Sequence, residues 1–600
     1  MTIPHAHGPA YLGVERSILG RPWRARLDGF GEAIALSLSQ AHGVDDLTAR
    51  IIAGRGVNAA SAAQYLDPTL RALMPDPSCL RDMDAAVTRL ADAIQESQSV
   101  AIFGDYDVDG ACSGALLVDY WRAAGAPEPL LHIPDRIFEG YGPNVEAIRT
   151  LAGQGATVLV TVDCGTTSHA ALAEARAQGM DAIVLDHHQA PIELPEGIVV
   201  NPNRQDDLSG QGGLCAAGVV FLALVALTRE LRRREWWTPA RPPPDLLAEL
   251  DLVALATVAD VAPLTGLNRA FVVKGLQVMQ GRGRVGLSAL IQAARLEGPV
   301  RASHLGFALG PRINAGGRIG DASLGARLLT LSDPAEAARL AMELDRLNAD
   351  RRVIETRTLE EAIALAEVEL TTTNRPGCLV VAGENWHPGV VGLIASRLKE
   401  RFNLPSFAIA FNGEKGTSSG RSLGGVDIGR AVRRCVELGL VEKGGGHAMA
   451  AGVTLNRAQL DGFRSFMNDN LIEGVEATLA HDALVIDGAV SGRGVNHDLL
   501  RRLEKAGPFG QGNPEPVFVL PEQRLVDAMK VGETHLRARL RSADGASTEA
   551  MAFRAVGTPL GETLTRGRGD LFHVAVRISP NYFRGIERPQ CVIVDLARAT

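Results

Sequence analysis

Gly104-Asp105-Tyr106-Asp107-Val108-Asp109-Gly110 is the stretch on which the reading of this chain turns. The apolar run Ser99-Val100-Ala101-Ile102-Phe103 leads into it, and a small-residue segment from Ala111 to Leu117 follows. That order predicts a buried strand, a glycine-bounded loop and then a helix. Asp105, Asp107 and Asp109 alternate, so in an extended backbone their carboxylates lean to one side. Three carboxylates on one edge repel each other unless something positive sits among them. A single Asp in such a turn is usually a solvated helix cap. Here the chain builds the same kind of site three more times.

Working outward, the β-branched run Ala156 to Val162 ends in Asp163-Cys164-Gly165, and Asp181 to Leu185 ends in Asp186-His187-His188. The segment between them, Ser168 to Gln178, reads as a helix. Apolar strands alternating with helices predict a parallel sheet covered on both faces. In such sheets functional groups collect at the carboxyl ends of the strands, near the point where strand order reverses. Asp107, Asp109, Asp163 and Asp186-His187-His188 are therefore expected to converge. The helix-like apolar segment Leu250 to Ala259 delivers a further carboxylate, Asp260, which needs a counter-charge or a metal.

With 600 residues, the chain is too long for one core and predicts three or four domains. A net charge of -8 carries no global signal for nucleic acid, so any such binding must come from local patches. Met1 to Ala10 lacks a secretion-signal pattern, and the longest apolar run, Leu214 to Leu227, is too short to span a bilayer. The seven cysteines are scattered and never form Cys-x-x-Cys, which points to a reducing, cytoplasmic setting without disulfides or structural zinc.

The expected fold class is α/β. Residues 1–75 read as a helical segment, including a short helix within Val57 to Leu66, and residues 76–330 as the parallel-sheet domain. Residues 331–372 read as a long charged connector helix and residues 373–470 as a second α/β domain. From 471 to 600 the texture becomes short β-type runs, fitting a β-barrel of the OB type. Gly281-Arg-Gly-Arg-Val-Gly286 matches G-x-G-x-x-G in letters only, since it follows a helix-like segment, and Lys415-Gly-Thr-Ser lacks the order of a P-loop.

Several Asp with one or two His and no Cys make a hard oxygen-and-imidazole environment, suited to Mn²⁺ or Mg²⁺. Enough ligands are present for two ions, with a carboxylate such as Asp163 between them. Two ions clamp the attacking and leaving oxygens of a phosphoryl transfer without a covalent nucleophile. Phosphate contacts beyond the metals are expected from basic and glycine-rich loops. The candidates are Arg136 beside aromatics, Arg312, Asn314 and Arg318 around a Gly-Gly pair, Ser419 and Arg421 in a small-residue loop, and His447 after three glycines.

Asp105-Tyr-Asp-Val-Asp-Gly110, Val162-Asp-Cys-Gly165, Asp186-His-His188 and Ala256-Thr-Val-Ala-Asp260 resemble motifs I to IV of the DHH phosphoesterases. Pro311-Arg-Ile-Asn-Ala-Gly-Gly-Arg318 and the DHHA1-like glycine motifs at 416–422 and 444–452 are closest to the RecJ-type exonucleases of that family. The resemblance covers about residues 80 to 520, and the motifs are complete. It implies a DHH domain, a DHHA1 domain and an OB-like tail. It also implies Asp107, Asp109, Asp163, His187 and Asp260 as metal ligands, with Asp105 and His188 beside them facing the substrate. On that reading Asp105, Asp163 and His188 are the catalytic groups, and Arg421 with Ser419, then Arg318, receives the 5′ end. The implied activity is 5′→3′ degradation of single-stranded DNA to mononucleotides in recombination and repair. A single-strand-binding protein and a RecQ-type helicase are partners implied by family alone.

In the tail, Gly507-Pro-Phe-Gly-Gln-Gly-Asn-Pro-Glu-Pro516 looks like the family's motif there. Phe509, Asn513 and the alternating Arg537, Arg539 and Arg541 are candidate contacts, against an equal expectation that the motif only shapes a junction. Two rival readings are a DHH phosphodiesterase acting on short oligoribonucleotides or cyclic dinucleotides, and a non-catalytic single-strand-binding scaffold.

Overall fold

The computed structural model describes residues 10–136, 138–372 and 375–599. The first strand, β1 (Trp23–Ala25), is followed by helices Gly29–His42 and Asp46–Ala53. The next five strands are β2 (Val100–Gly104), β3 (Leu130–His132), β4 (Val158–Val162), β5 (Asp181–Leu185) and β6 (Ile198–Val200). They form an all-parallel sheet in the order β3-β2-β4-β5-β6. Every residue of β2 and β4 is buried, as the unbroken apolar runs predict for strands covered on both faces. Helices Met83–Gln95, Val108–Ala124 and Ala216–Arg233 cover one face, and Val145–Gly153 and His169–Ala177 the other. Strand order reverses between β2 and β4, so the loops carrying Asp105–Asp109 and Asp163 leave the sheet at its switch point.

The connector is a 39-residue helix, Pro334–Thr372, about 58 Å long at 1.5 Å per residue. Ala337, Leu340, Leu344 and Leu347 lie in the first core, whereas Ala362 and Ala366 lie in the second. Each half is thus packed into a different domain, with the buried Arg351–Glu355 ion pair between them. The second domain consists of β7 (Leu379–Glu384), β8 (Ser406–Asn412), β9 (Lys415–Arg421), β10 (Lys443–His447) and β11 (Ala450–Asn456), in the order β10-β11-β9-β8-β7. Only β7 and β8 pair in parallel.

The tail opens with β12 (Leu484–Ile486) and β13 (Gly488–Ala489). The strands β14 (Phe518–Val531), β15 (His535–Arg541), β16 (Ser547–Ala552), β17 (Leu571–Phe583) and β18 (Ile586–Arg598) then close into the expected five-stranded barrel, β14 pairing with β17. On β15, Leu536, Ala538 and Leu540 point inward and Arg537, Arg539 and Arg541 outward, with Arg539 paired to Asp527. The G-x-G-x-x-G match at Gly281 lies in a turn between two helices.

The N-terminal segment departs from the expectation of a helical preamble. β1 pairs in parallel with β12, and Leu38, Ile51 and Ile52 share a core with Leu499, Phe518 and Phe572 of the tail. Asp487, 5 % exposed, accepts from Arg26 at 2.8 Å and is ion-paired with Arg55. A buried carboxylate demands such partners. The short helix is Ala62–Leu66, ending at Asp67 as the Asp-Pro pair predicts.

The Gly507–Pro516 motif is a junction. The Asn513 amide donates to the Ala506 and Pro508 carbonyls at 3.0 and 2.8 Å and lies 2.9 Å from the Tyr65 hydroxyl. Arg269 from the sheet domain stacks on Tyr65 at 3.8 Å and donates to the Gly507 carbonyl. Asn513 is 1 % exposed, so the expectation that it touches nucleic acid is corrected, and Phe509 packs against the same tail core. Asn513→Ala removes the donor to the Pro508 carbonyl, while the Ala506 carbonyl keeps the Tyr65 hydroxyl. It should lower unfolding stability by about 1–3 kcal/mol, read by denaturant melts, with kcat unchanged below the transition.

Candidate metal centre and nucleic-acid cleft

The loop after β2 is held by its own helix. Asp107 caps Val108–Ala124, its carboxylate accepting from the N–H groups of Asp109 (2.9 Å) and Gly110 (3.2 Å). A Cβ on Gly110 would sit 2.3 Å from the Asp105 carbonyl, so the turn requires glycine there. Asp109 is buried, and its two oxygens accept from Ala216 N (2.6 Å) and Ala217 N (2.8 Å) at the start of an 18-residue helix. The positive end of that helix dipole stabilises the charge.

Asp163 leaves β4 with φ +60°, a left-handed conformation that aims its carboxylate back over the switch point. His187 Nε2 lies 3.2 Å from Asp163, 3.7 Å from Asp109 and 3.9 Å from Asp260. The ligand atoms fall into overlapping groups: Asp109–His187–Asp260, Asp105–Asp107–Asp163 and Asp163–His187–His188. The structure thus brings together Asp105, Asp107, Asp109, Asp163, His187, His188 and Asp260.

The electrostatics fit a cation. Among the described residues, His187 Nε2 and Asp105 Oδ1 are buried without a hydrogen-bond partner. Burial and then Asp107 push the Asp105 carboxyl far above its usual value, and burial and then Asp109 do so for Asp163. Asp260 rises to about 8, through burial and then Asp109 and Asp107. Carboxylates this close stay ionised together only around positive charge.

The first Asp of Asp186-His187-His188 does a different job. Asp186 accepts from the N–H groups of His187 (2.7 Å), His188 (3.2 Å) and Thr166 (3.2 Å), and lies 2.8 Å from His188 Nδ1. Burial raises its pKa, but the His188 hydrogen bond and charge outweigh that and hold it well below the carboxylate range. His188 in turn rises to about 9, Asp186 overcoming the desolvation that lowers it. Tyr141 joins this network. Its hydroxyl donates to the Asp163 carbonyl at 3.2 Å and lies 3.1 Å from His188 Nδ1. Asn201 and Asn203 donate to the His188 and His187 carbonyls at 2.9 and 2.5 Å, and nothing in the sequence pattern marks them.

A second set of residues meets at the DHHA1-like face. Arg136, Gly389, Ser419, Arg421, Gly445 and Gly446 line a cavity of about 430 Å³. Arg421 donates to Ser419 Oγ and the Gly420 carbonyl, both at 2.8 Å, and Arg318 donates across the domain boundary to the Gly389 carbonyl at 3.0 Å. A Cβ on Gly389 would lie 2.1 Å from the Arg318 carbonyl, so this close approach also requires glycine. Burial and then neighbouring arginines push Arg318 down to about 10, and burial and then Arg136 lower Arg421. Among the described residues none of Arg136, Arg318 and Arg421 is ion-paired to a carboxylate. Three guanidinium groups held so call for an anion. Burial, then Arg421 and His188, lower the His447 imidazole, which follows the cavity-lining Gly445 and Gly446 and feels the charge of both neighbours.

Arg312 does not join this set. It is 9 % exposed, its Nη2 lies 2.8 Å from Asp345 on the connector, and its Nη1 donates to the Ala308 carbonyl at 2.7 Å. On the helix Gly310–Ile319, Asn314 and Arg318 are four residues apart and share a face, whereas Arg312 points the opposite way. Arg312, expected beside the nucleic acid, is engaged in a buried ion pair with Asp345 and lies apart from the cavity arginines. Asn314 is half-buried, with its carboxamide oxygen unpartnered among the described residues.

The chain matches three family models: the DHH family N-terminal domain over residues 99–257, the DHHA1 domain over 375–473 and the RecJ OB domain over 486–595. It is 37% identical over 560 residues to the single-stranded-DNA-specific exonuclease RecJ of Salmonella typhimurium, covering 92% of this chain and 95% of that one. The Escherichia coli protein of the same description gives the same identity and coverage, 37% over 560 residues, 92% and 95%. The crystal structure of RecJ in complex with Mn²⁺ from Thermus thermophilus superposes with a TM-score of 0.75 at 31% identity, covering 96% of this chain and 80% of that one. The corresponding Mg²⁺ complex gives 0.69 at 29% identity, covering 96% and 78%.

Proposed function

The chain belongs to the RecJ family of single-stranded-DNA-specific exonucleases, and on that premise we propose that it removes mononucleotides from the 5′ end of single-stranded DNA. The observation carrying this reading is the pairing of a carboxylate–imidazole cluster with an unpaired arginine cavity at one cleft. Asp109, His187 and Asp260 would hold one ion and Asp107 and Asp163 a second, Mn²⁺ or Mg²⁺. Ions bound there supply positive charge to the scissile phosphate and lower the pKa of the attacking water.

The protein's own groups do the rest. Asp186 and Tyr141 fix His188 at the edge of the cluster, where it is placed to donate to a phosphate oxygen. Arg421, Ser419 and Arg136 receive the terminal 5′ phosphate, so the first phosphodiester lies over the cluster. Strand selectivity follows from a cleft enclosed by both domains and tied across by Arg318. The wider role is recombination and repair in the cytoplasm, with a single-strand-binding protein and a RecQ-type helicase as partners.

The test uses 5′-labelled and 3′-labelled single strands with Mn²⁺, beside duplex and RNA controls. Immediate release of the 5′ label as mononucleotide, with the duplex untouched, is expected. Turnover of dinucleotides only would move the protein to the short-oligonucleotide phosphodiesterases. Arg421→Ala should raise KM for 5′-phosphorylated DNA roughly 10- to 100-fold, the size of a lost charged hydrogen bond. It should also erase the preference over a 5′-hydroxyl end. An unchanged preference would remove the arginine from that role.

A further inference from the structure

Between the carboxylate cluster and the arginine cavity runs one helix whose open face, apart from the Arg318–Gly389 hydrogen bond, makes no side-chain hydrogen bond or ion pair among the described residues. In Gly310–Ile319 six residues are buried, and of the four partly open ones Pro311, Asn314 and Arg318 recur at helical spacing, with Ile319 beside the last. Immediately before it the chain makes one π-helical turn, Leu305–Leu309, a rare form that recurs at functional sites. At its middle stands Phe307, 82 % exposed.

The two ends of this stripe face different parts of the site. At the far end Arg318 reaches the Gly389 carbonyl of the arginine cavity, and Gly317 packs against the Tyr106 carbonyl between Asp105 and Asp107. At the near end Gly306 lies against Val258, and Gly310 against Ala259 and Val108, residues adjoining the ligands Asp260, Asp107 and Asp109. Just past Asp260, Val261 is 63 % exposed with φ +60°, an outlying conformation for a β-branched side chain. From Arg318 to Phe307 the helix advances about 16 Å. The stripe therefore starts at the anion cavity, passes the carboxylates and ends on an exposed aromatic ring.

We propose that Phe307 is a stacking platform for a nucleobase of the single-stranded substrate on the 3′ side of the scissile bond, with Asn314 facing the strand on the way. The position of that base rests on the reading that the 5′ end occupies the Arg421 cavity. An aromatic face binds any base, which suits an enzyme that must advance along every sequence.

The test crosses Phe307→Ala and Phe307→Leu with single strands carrying one abasic site at successive positions, counted from each end. For the parent enzyme, an abasic site at one position near the 5′ end should raise KM about 5- to 100-fold, the loss of one base stack. Phe307→Ala should show the same rise on intact DNA and no further rise from that abasic site, with kcat and melting temperature unchanged. Phe307→Trp should restore binding. Equal losses at every abasic position in parent and variant, or a parent-like KM for Phe307→Ala, would overturn the platform. A coupled position at a fixed distance from the 3′ end would keep the platform and overturn the 5′-end reading.

Discussion

Asp163→Asn abolishes hydrolysis of single-stranded DNA, by at least about 10³-fold in kcat, at or beyond the upper end for removing one preorganised electrostatic contact, while the fold stays intact. The expectation follows from where Asp163 stands. It belongs to two of the three overlapping ligand groups and lies 3.2 Å from His187 Nε2, so no other carboxylate serves both halves of the cluster. Asn keeps the shape and tolerates the left-handed φ of +60°. Ala at that position adds strain of about 1 kcal/mol, which makes Asn the cleaner substitution. Without metal the folded protein holds Asp163 protonated while the unfolded chain releases that proton, a cost that Asn removes, so the metal-free variant should melt no lower than the parent. Inactivity with an unchanged or raised melting temperature separates a chemical loss from misfolding. A residual rate within about tenfold of the parent, 1.4 kcal/mol of barrier, would remove Asp163 from the centre of the mechanism.

Chelation should stop hydrolysis, and returned Mn²⁺ should raise the melting temperature, more at high pH than at low. Without metal, burial and then Asp109 and Asp107 lift Asp260 from 3.8 to about 8. The folded protein therefore keeps a proton that the unfolded chain releases. Stability present below pH 3.8 is lost as pH rises through about 8 in the metal-free state. Metal competes with that proton, so its binding strengthens across the same interval. At 100 times its Kd, Mn²⁺ should stabilise by about 2.7 kcal/mol. Melting curves with and without Mn²⁺ near both ends of the interval check this, and Asp260→Asn should flatten the metal-free slope. An identical Mn²⁺ shift at both ends would contradict proton–metal competition at this cluster.

What was legible in the sequence was local. An apolar run ending in Asp marks a strand end wherever it occurs, so the carboxylates after β2 and β4 were placed without knowing any contact. Asp186 shows the limit of that signal. It lies at a strand end like the others, yet its oxygens are spent on backbone amides and His188, which only the folded loop reveals. Motif proximity groups Arg312 with Asn314, but helical phase separates them: two residues away, it lies on the other face and pairs with Asp345. Phe307 carried no signal at all, since a π turn breaks the 3.6-residue period on which such readings depend. The N-terminal segment was opaque for a different reason. Its partners stand hundreds of residues away, and strand pairing at that range leaves no trace in local composition.

That last pairing bears on how the protein is made. Arg26 and Asp487 are 461 residues apart, and Leu264, a few residues beyond Asp260, donates its N–H to the Gln511 carbonyl at 2.7 Å. At translation rates of 5–20 residues per second, the early segment waits roughly 25–90 s for its partner strand. Until then Leu38, Ile51 and Ile52 lack the tail residues that complete their core, and the loop that carries Asp260 lacks its bond to Gln511. The brace on the Asp260 loop thus comes from a stretch synthesised about 250 residues after it.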